Sequence, residues 1–285
     1  MSSLAYVTLM NPSSRTRYQL AGESYGLLVD DHPCNTAIVF VHGFGGNSEK
    51  TWWQFQTLPD RLADTWWHFC DFYFYSYDST GMQIWPNVSA LNVFMKRVFP
   101  KPDWRNLGAI TSGPEKKYTH LVAVAHSEGA VLVRGAVVER AMSYATRSPS
   151  TSVFQAELRM FAPAMFGAMI CGWKGVLLKS PVLGSLVRSC LNSSPAYQQL
   201  VSDDPVLRHI RNETVDLAKR FPELIAFRAR NIFSRKDSVA SICPLPTDFE
   251  CQYEAEKSHT SICKPSTMYL RPLTFVRDMI HAKAA

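Results

Sequence analysis

Ser127 lies in Ala125-His126-Ser127-Glu128-Gly129, between a β-branched run, Leu121 to Ala125, and a helix-compatible stretch, Ala130 to Ala145. A serine hydroxyl is a weak nucleophile until a base takes its proton. On a strained strand-to-helix turn its oxygen stands exposed, and the residues two before and two after must be small to avoid collision. Ala125 and Gly129 meet that demand. The helix that opens there aims its first amides and its dipole at the charge that develops in acyl transfer. Small-x-Ser-x-Gly is short enough to arise by chance, and its bland alternative is a serine capping an ordinary helix. Context has to decide.

A second element, His42-Gly43-Phe44-Gly45-Gly46, ends another apolar run, Thr36 to Val41. Attack on an acyl carbonyl puts negative charge on its oxygen, which two backbone N–H groups in a water-poor pocket can stabilise. Glycines let an amide approach that oxygen closely. The backbone of Phe44 and Glu128 supplies the two donors of this oxyanion hole. A phosphate-binding loop is the alternative, but neither Gly-x-x-x-x-Gly-Lys-Ser/Thr nor Gly-x-Gly-x-x-Gly is present. His42 reads as a loop anchor through hydrogen bonding rather than as a proton carrier.

The base must follow the serine, with an acid between them to hold its tautomer. Of the histidines after Ser127, His209 lies in a charged helical stretch and His281 near the end of the chain, while His259 sits in a loop after the last strand signals. His259 is the candidate base. Asp237 directly follows the strand-like run Leu224 to Phe233 and is the candidate acid, with Asp248, Glu250, Glu254 and Asp204 as competitors and a plain turn residue as its bland alternative.

These residues need a scaffold of strands that end at one edge. The runs Thr36–Val41, Phe69–Tyr77, Leu121–Ala125, Leu158–Ala162 and Leu224–Phe233 read as strands alternating with helical stretches, which gives a mostly parallel sheet with helices on both faces. The start of the chain, including Tyr6 to Met10, suggests an edge hairpin; Ser48 to Asp64 a helix broken near Pro59; and Ser266 to His281 a closing helix. The stretch between Asp78 and Leu121 reads only as long, polar and proline-containing. The cluster Trp52, Trp53, Trp66 and Trp67 fits helix packing better than a ligand box.

With 285 residues, 46% of them hydrophobic, the chain can fill one large core, and a single domain with an insertion is expected. The net charge of +6 is scattered, so nothing points to nucleic acid. Seven cysteines without C-x-x-C pairs suggest reduced thiols and a reducing compartment such as the cytoplasm. No His-Glu-x-x-His or related ligand spacing occurs, so neither a metal nor another cofactor is expected. No secretory signal or membrane span is evident.

Four segments together resemble the lipase-like serine esterases related to GPI inositol-deacylases and serine-active-site-containing proteins: His42 to Gly46, Ala125 to Gly129, Phe161-Ala162-Pro163-Ala164, and Ser258-His259-Thr260-Ser261-Ile262-Cys263-Lys264-Pro265. The likeness runs from about Thr36 to Pro265 and is patchy between motifs. It implies an α/β-hydrolase fold, triad roles for Ser127, Asp237 and His259, and lipid-like or other acyl esters as substrates. Ala125 departs from the glycine common in such proteins. Glu128 is a second departure, whose charge beside Ser127 either biases substrate choice or favours the helix N-terminus.

Residues 166–215 break the strand–helix alternation and are read as an inserted cap. Met169, Ile170, Trp173, Leu177, Leu186 and their neighbours are more apolar than a surface loop needs. A lid over an acyl pocket, a peripheral membrane surface and plain core packing are the three options. Against an ester hydrolase stands a catalytically silent scaffold of the same fold that binds a ligand or protein. Serine, acid and base in the right order favour chemistry. Thioesterase, amidase and acyltransferase activities would use the same groups.

Overall fold

The computed structural model describes residues 15–59, 65–143, 155–168, 193–200 and 204–278. Its centre is β3 (Thr36–Val41), buried at every position. Ala37, Val39 and Val41 pack into one apolar cluster, and Ile38 and Phe40 into a second on the opposite face. A strand covered on both sides needs this uninterrupted run. β4 (Cys70–Tyr75), β5 (His120–His126), β6 (Glu157–Phe161) and β7 (Ala229–Ser234) are buried almost throughout as well, with polar residues such as Asp71, Glu157, Arg159 and Asn231 among their buried positions. With β1 (Arg15–Gln19), β2 (Tyr25–Val29) and β8 (Gln252–Glu254) they form an eight-stranded sheet in the order β1-β2-β4-β3-β5-β6-β7-β8. β1 and β2 form an antiparallel edge hairpin, β2 runs antiparallel to β4, and all pairs from β4 to β8 are parallel.

One face is covered by α2 (Ile84–Val98), α3 (Glu128–Ser143) and α5 (Pro205–Arg220), through residues such as Val88, Leu91, Val131, Leu207 and Ile210. The other is covered by α1 (Ser48–Trp52), the 3₁₀ turn Trp53–Gln56 and α6 (Arg271–Arg277), through Trp52, Phe55, Leu273, Phe275 and Val276. α3 is buried at every position from Glu128 to Val138. It enters the core directly beneath the candidate nucleophile.

The sequence expectations differ from this in several places. α2 occupies part of the stretch read only as polar and proline-containing; its apolar residues recur at Ile84, Val88, Leu91, Met95 and Val98, and Pro86 is tolerated because the first turn's N–H groups have no partner within the helix. The helix expected over Ser48 to Asp64 ends at Trp52 and tightens into the 3₁₀ turn, well before Pro59. The closing helix is shorter than expected. Trp52 and Trp67 are core residues and Trp53 is exposed, in keeping with packing.

Tyr6 to Met10 and most of the segment expected as a cap, residues 169–192 and 201–203, lie outside the described residues. The described remainder of 166–215 includes a short helix α4 (Pro195–Gln199) and the first part of α5, which packs on α3. Cys34, Cys243, Cys251 and Cys263 are free thiols. Among the described residues, no helix is long and apolar enough to cross a membrane.

Candidate active site

β5 ends at His126, and the chain turns into α3 through Ser127 at φ 55°, a left-handed conformation uncommon for a residue with a side chain. The turn is braced on both sides: the Ser127 amide donates to the Phe161 carbonyl (3.0 Å), and the Ala164 amide donates to the Ser127 carbonyl (3.2 Å). A Cβ on Gly129 would lie 2.4 Å from the His42 carbonyl oxygen and 2.5 Å from that of Val41. One on Gly43 would lie 2.8 Å from the Ser127 Cβ. Both glycines are therefore required by close approach, one of α3 to β3 and one of the His42–Gly46 loop to the serine.

Three groups from distant parts of the chain meet here. His259 Nε2 is 2.9 Å from Ser127 Oγ, and its Nδ1 is 2.8 Å from Asp237 Oδ2. Asp237 Oδ1 accepts from the amides of Val239 (2.8 Å) and Ala240 (3.0 Å). Burial pushes the Asp237 carboxyl up, but the hydrogen bond and charge of His259 and the two amides outweigh it, and the carboxyl is held below its ordinary value. A buried carboxylate that accepts from Nδ1–H leaves Nε2 as the acceptor facing Ser127.

The competing acids are occupied elsewhere. Asp248 is buried against Arg134 and also accepts from the amides of Ala229 and Leu245 and from Asn231. Glu254 pairs with Arg271, and Asp204 caps α5 by accepting from the Val206 amide. Glu250 forms no ion pair among the described residues. His209 lies on α5 near the Trp85 ring, and His281 is outside the described residues.

Ser127 and His259 open onto a cavity of about 380 Å³. Phe44, Ala168, Leu200 and Val239 give it an apolar side, and Lys50 and Lys264 are its charged lining residues. Ala168 and Leu200 belong to the described part of the expected cap and its flank. A larger cleft of about 730 Å³, lined by Arg17, Glu23, Glu49 and Trp53, contains none of the three groups. Phe44 lines the smaller cavity, and Glu128 opens α3, where first-turn amides have no helical carbonyl to meet. Among the described residues, no cluster of His, Cys, Asp or Glu is arranged to hold a metal ion.

Two features went unread in the sequence, the brace made by His126 and the burial of the Glu128 side chain, whereas His42 was expected as a loop anchor. His126 is buried and its Nε2 donates to the carbonyl of His259 (2.8 Å), with the rings 4.9 Å apart. Burial, helped by His259 nearby, holds its pKa down at about 3, so it stays a neutral brace. His42 likewise stays neutral, held down to about 4 by burial, and its Nδ1 bonds the Gly43 carbonyl (3.0 Å). The side chain of Glu128 is wholly buried and does not line the cavity. It touches Tyr77, 51 residues away, a contact that spacing along the chain does not reveal.

No protein-family model and no curated protein sequence matches the chain. In structure it is similar to the mature lipase BlEst2 of Bacillus licheniformis, at 15% identity and a TM-score of 0.53, over 88% of this chain and 97% of that one. It also aligns with the peroxisomal alpha-beta-hydrolase Lpx1 of Saccharomyces cerevisiae, at 11% identity and a TM-score of 0.49, over 93% of this chain and 85% of that one. The strand order, the parallel core with helices on both faces, and the overlap with the Bacillus lipase give this chain the α/β-hydrolase fold.

Proposed function

We propose that the protein is a serine hydrolase that cleaves carboxylic esters, with lipid-like or other acyl substrates, through an acyl-enzyme. The observation that carries this reading is the hydrogen-bonded chain Asp237–His259–Ser127 opening onto a partly apolar cavity. Ser127 Oγ attacks the acyl carbonyl while His259 Nε2 takes its proton. Negative charge moves to the carbonyl oxygen, which the amides of Phe44 and Glu128 receive. The ester C–O bond then breaks, and His259 returns the proton to the departing alcohol. In the second half a water molecule, deprotonated by His259, attacks the acyl-serine, and its collapse releases the acid and restores Ser127.

Phe44, Ala168, Leu200 and Val239 favour an apolar acyl chain over a small polar one. Residues 166–215 serve in this reading as the cap over that chain. The narrower kinship with GPI inositol-deacylase-like esterases rests on the sequence motifs alone.

Labelling with a fluorophosphonate probe, wild type against Ser127→Ala, followed by p-nitrophenyl esters of increasing chain length, tests the proposal. The expected result is labelling that vanishes in the variant and turnover that rises with chain length. A folded wild type that neither labels nor turns over, with or without lipid vesicles, would leave the silent ligand-binding scaffold as the better account.

A further inference from the structure

Glu128 stands beside the nucleophile, yet nothing in the hydrolytic cycle uses its carboxyl. It is wholly buried, and its Oε1 has no hydrogen-bond partner among the described residues. Its Oε2 lies 3.3 Å from the Tyr77 hydroxyl, and that hydroxyl lies 2.8 Å from the His42 carbonyl oxygen. A phenol carries one hydrogen. If it serves the closer carbonyl, the contact with Glu128 is bonding only when Glu128 brings a proton of its own. No lysine or arginine among the described residues pairs with this carboxyl, and the other groups facing it are Tyr77, His42 stacked on Tyr77 at 4.3 Å, and the exposed Asp78. An ionised carboxylate there would be buried without compensation.

We propose that Glu128 acts as a neutral carboxylic acid that donates to Tyr77, whose hydroxyl donates to the His42 carbonyl, and that this relay holds the two oxyanion donors in register. The proposal rests on the serine-hydrolase reading. Its logic is positional: one end of the relay is the side chain of the residue whose amide is one donor. The other end is the carbonyl two residues before Phe44, whose amide is the second. The His42 carbonyl is also the atom that α3 approaches most closely at Gly129. Glu128 and Tyr77 are thus positioning residues, acting through the backbone.

Loss of the proton reverses the relay. The Tyr77 hydrogen turns to the new carboxylate, the stronger acceptor, and the His42 carbonyl loses its donor. Burial outweighs the hydrogen bond that Tyr77 can give a carboxylate and, with Asp78 adding to it, pushes Glu128 up to about 8. Tyr77 is raised well above its ordinary value by burial, and His42 is held down to about 4. Glu128 is therefore the member of the cluster that titrates under working conditions.

The test is the pH dependence of kcat and KM from pH 6 to 10, by pH-stat on a soluble ester, for wild type, Glu128→Gln, Glu128→Leu and Tyr77→Phe. Wild type should lose about 10-fold in kcat as pH rises through about 8, with little change in KM. The glutamine amide can donate to Tyr77 at every pH, so Glu128→Gln should show no such loss, whereas Glu128→Leu and Tyr77→Phe should turn over about 10-fold more slowly throughout. An alkaline loss that persists in Glu128→Gln, or a Tyr77→Phe enzyme as fast as wild type, overturns the relay. Should wild type hydrolyse no ester, the hydrolase reading fails, and difference infrared spectroscopy still judges Glu128. A protonated-carboxyl band at pH 7 that Glu128→Gln removes supports the neutral acid, and its absence refutes it.

Discussion

Gly129→Ala is the most direct probe of how the fold positions the site. The added methyl would meet the His42 and Val41 carbonyl oxygens at 2.4 and 2.5 Å. A relaxed carbon–oxygen contact needs about 0.8 Å more, judged from normal packing distances. Val41 ends β3, which is paired to β4 on one side and β5 on the other, and His42 is the next residue, so these carbonyls cannot readily retreat. The start of α3 has to move instead, carrying Ser127 and the Glu128 amide with it. Overpacking of this kind costs about 1–3 kcal/mol, and a displacement near 1 Å at reacting atoms costs about 100-fold in rate. Gly135→Ala in the same helix is the control: its methyl would meet Val88 side-chain carbons at 2.6 and 3.0 Å, so a side chain rather than the sheet backbone has to give. Urea unfolding and kcat on a p-nitrophenyl ester separate the two effects. Gly129→Ala should lose both stability and about 100-fold in kcat, and Gly135→Ala should lose stability with kcat within about 3-fold of wild type. A Gly129→Ala enzyme with wild-type kcat would show that the approach of α3 to β3 does not set the geometry of the serine.

Asp237→Asn should fold normally and lose about 10⁴-fold in kcat, since the amide presents the wrong partner to His259 Nδ1. Its carboxyl is depressed in the folded protein, so the stability it contributes is present above its unfolded value and lost as pH falls through the folded one; the difference in Tm between wild type and Asp237→Asn should shrink below about pH 4. Asp248→Ala strands Arg134 without its buried carboxylate and should cost about 3–5 kcal/mol by urea unfolding, while kcat per folded molecule is unchanged; a large loss of kcat would return Asp248 to candidacy as the acid. Glu128 has a raised folded pKa, so the stability of its protonated form is full below about 4.5 and lost as pH rises through about 8. Glu128→Gln should therefore be more stable than wild type at pH 7, by on the order of 3 kcal/mol, and equal stability would contradict a protonated buried acid.

How legible each part was in the sequence follows from what its signal depends on. β3 and β5 show as near-continuous apolar runs because both faces of each are covered, β6 and β7 less plainly because they bury Glu157, Arg159 and Asn231, and Ser127 and Asp237 show because they sit just past strand ends. α2 was hidden although its apolar spacing is regular: Pro86 and the surrounding prolines argued for loop, and only the absent amide partners of a first turn make that proline harmless. β8, Gln252–Glu254, has no apolar signature at all, since it joins the sheet edge through backbone bonds to β7. Glu128 could be seen but not interpreted. Its helix position favours an ionised side chain, whereas the full burial that only the tertiary fold creates favours a neutral one, and burial is the larger effect.

The braces around the serine suggest why an unfavourable turn persists there. Ser127 at φ 55° and Ala162 at φ 44° follow neighbouring parallel strands, β5 and β6. Left-handed backbone costs roughly 1–2 kcal/mol per residue, so the pair would relax unless held. Ser127 is held to Phe161 and Ala164 on the β6 side, and the Ala162 amide donates to Ile232 on β7 at 2.9 Å. Three strands thus share the strain, and β7 leads directly to Asp237. Ser127 and Asp237 are both referenced to the sheet, which leaves His259 as the member of the hydrogen-bonded chain carried on a long loop. Among the contacts that pin that loop, Ser234 Oγ donates to the Lys257 carbonyl, and His126 Nε2 donates to the carbonyl of His259 itself. His259 is therefore mounted on the residue preceding Ser127, and a shift of the turn carries both along together. Because His126 must donate from Nε2 to serve as that mount, the neutrality that burial imposes on it would keep a second positive charge away from His259 in the proposed proton transfer from Ser127.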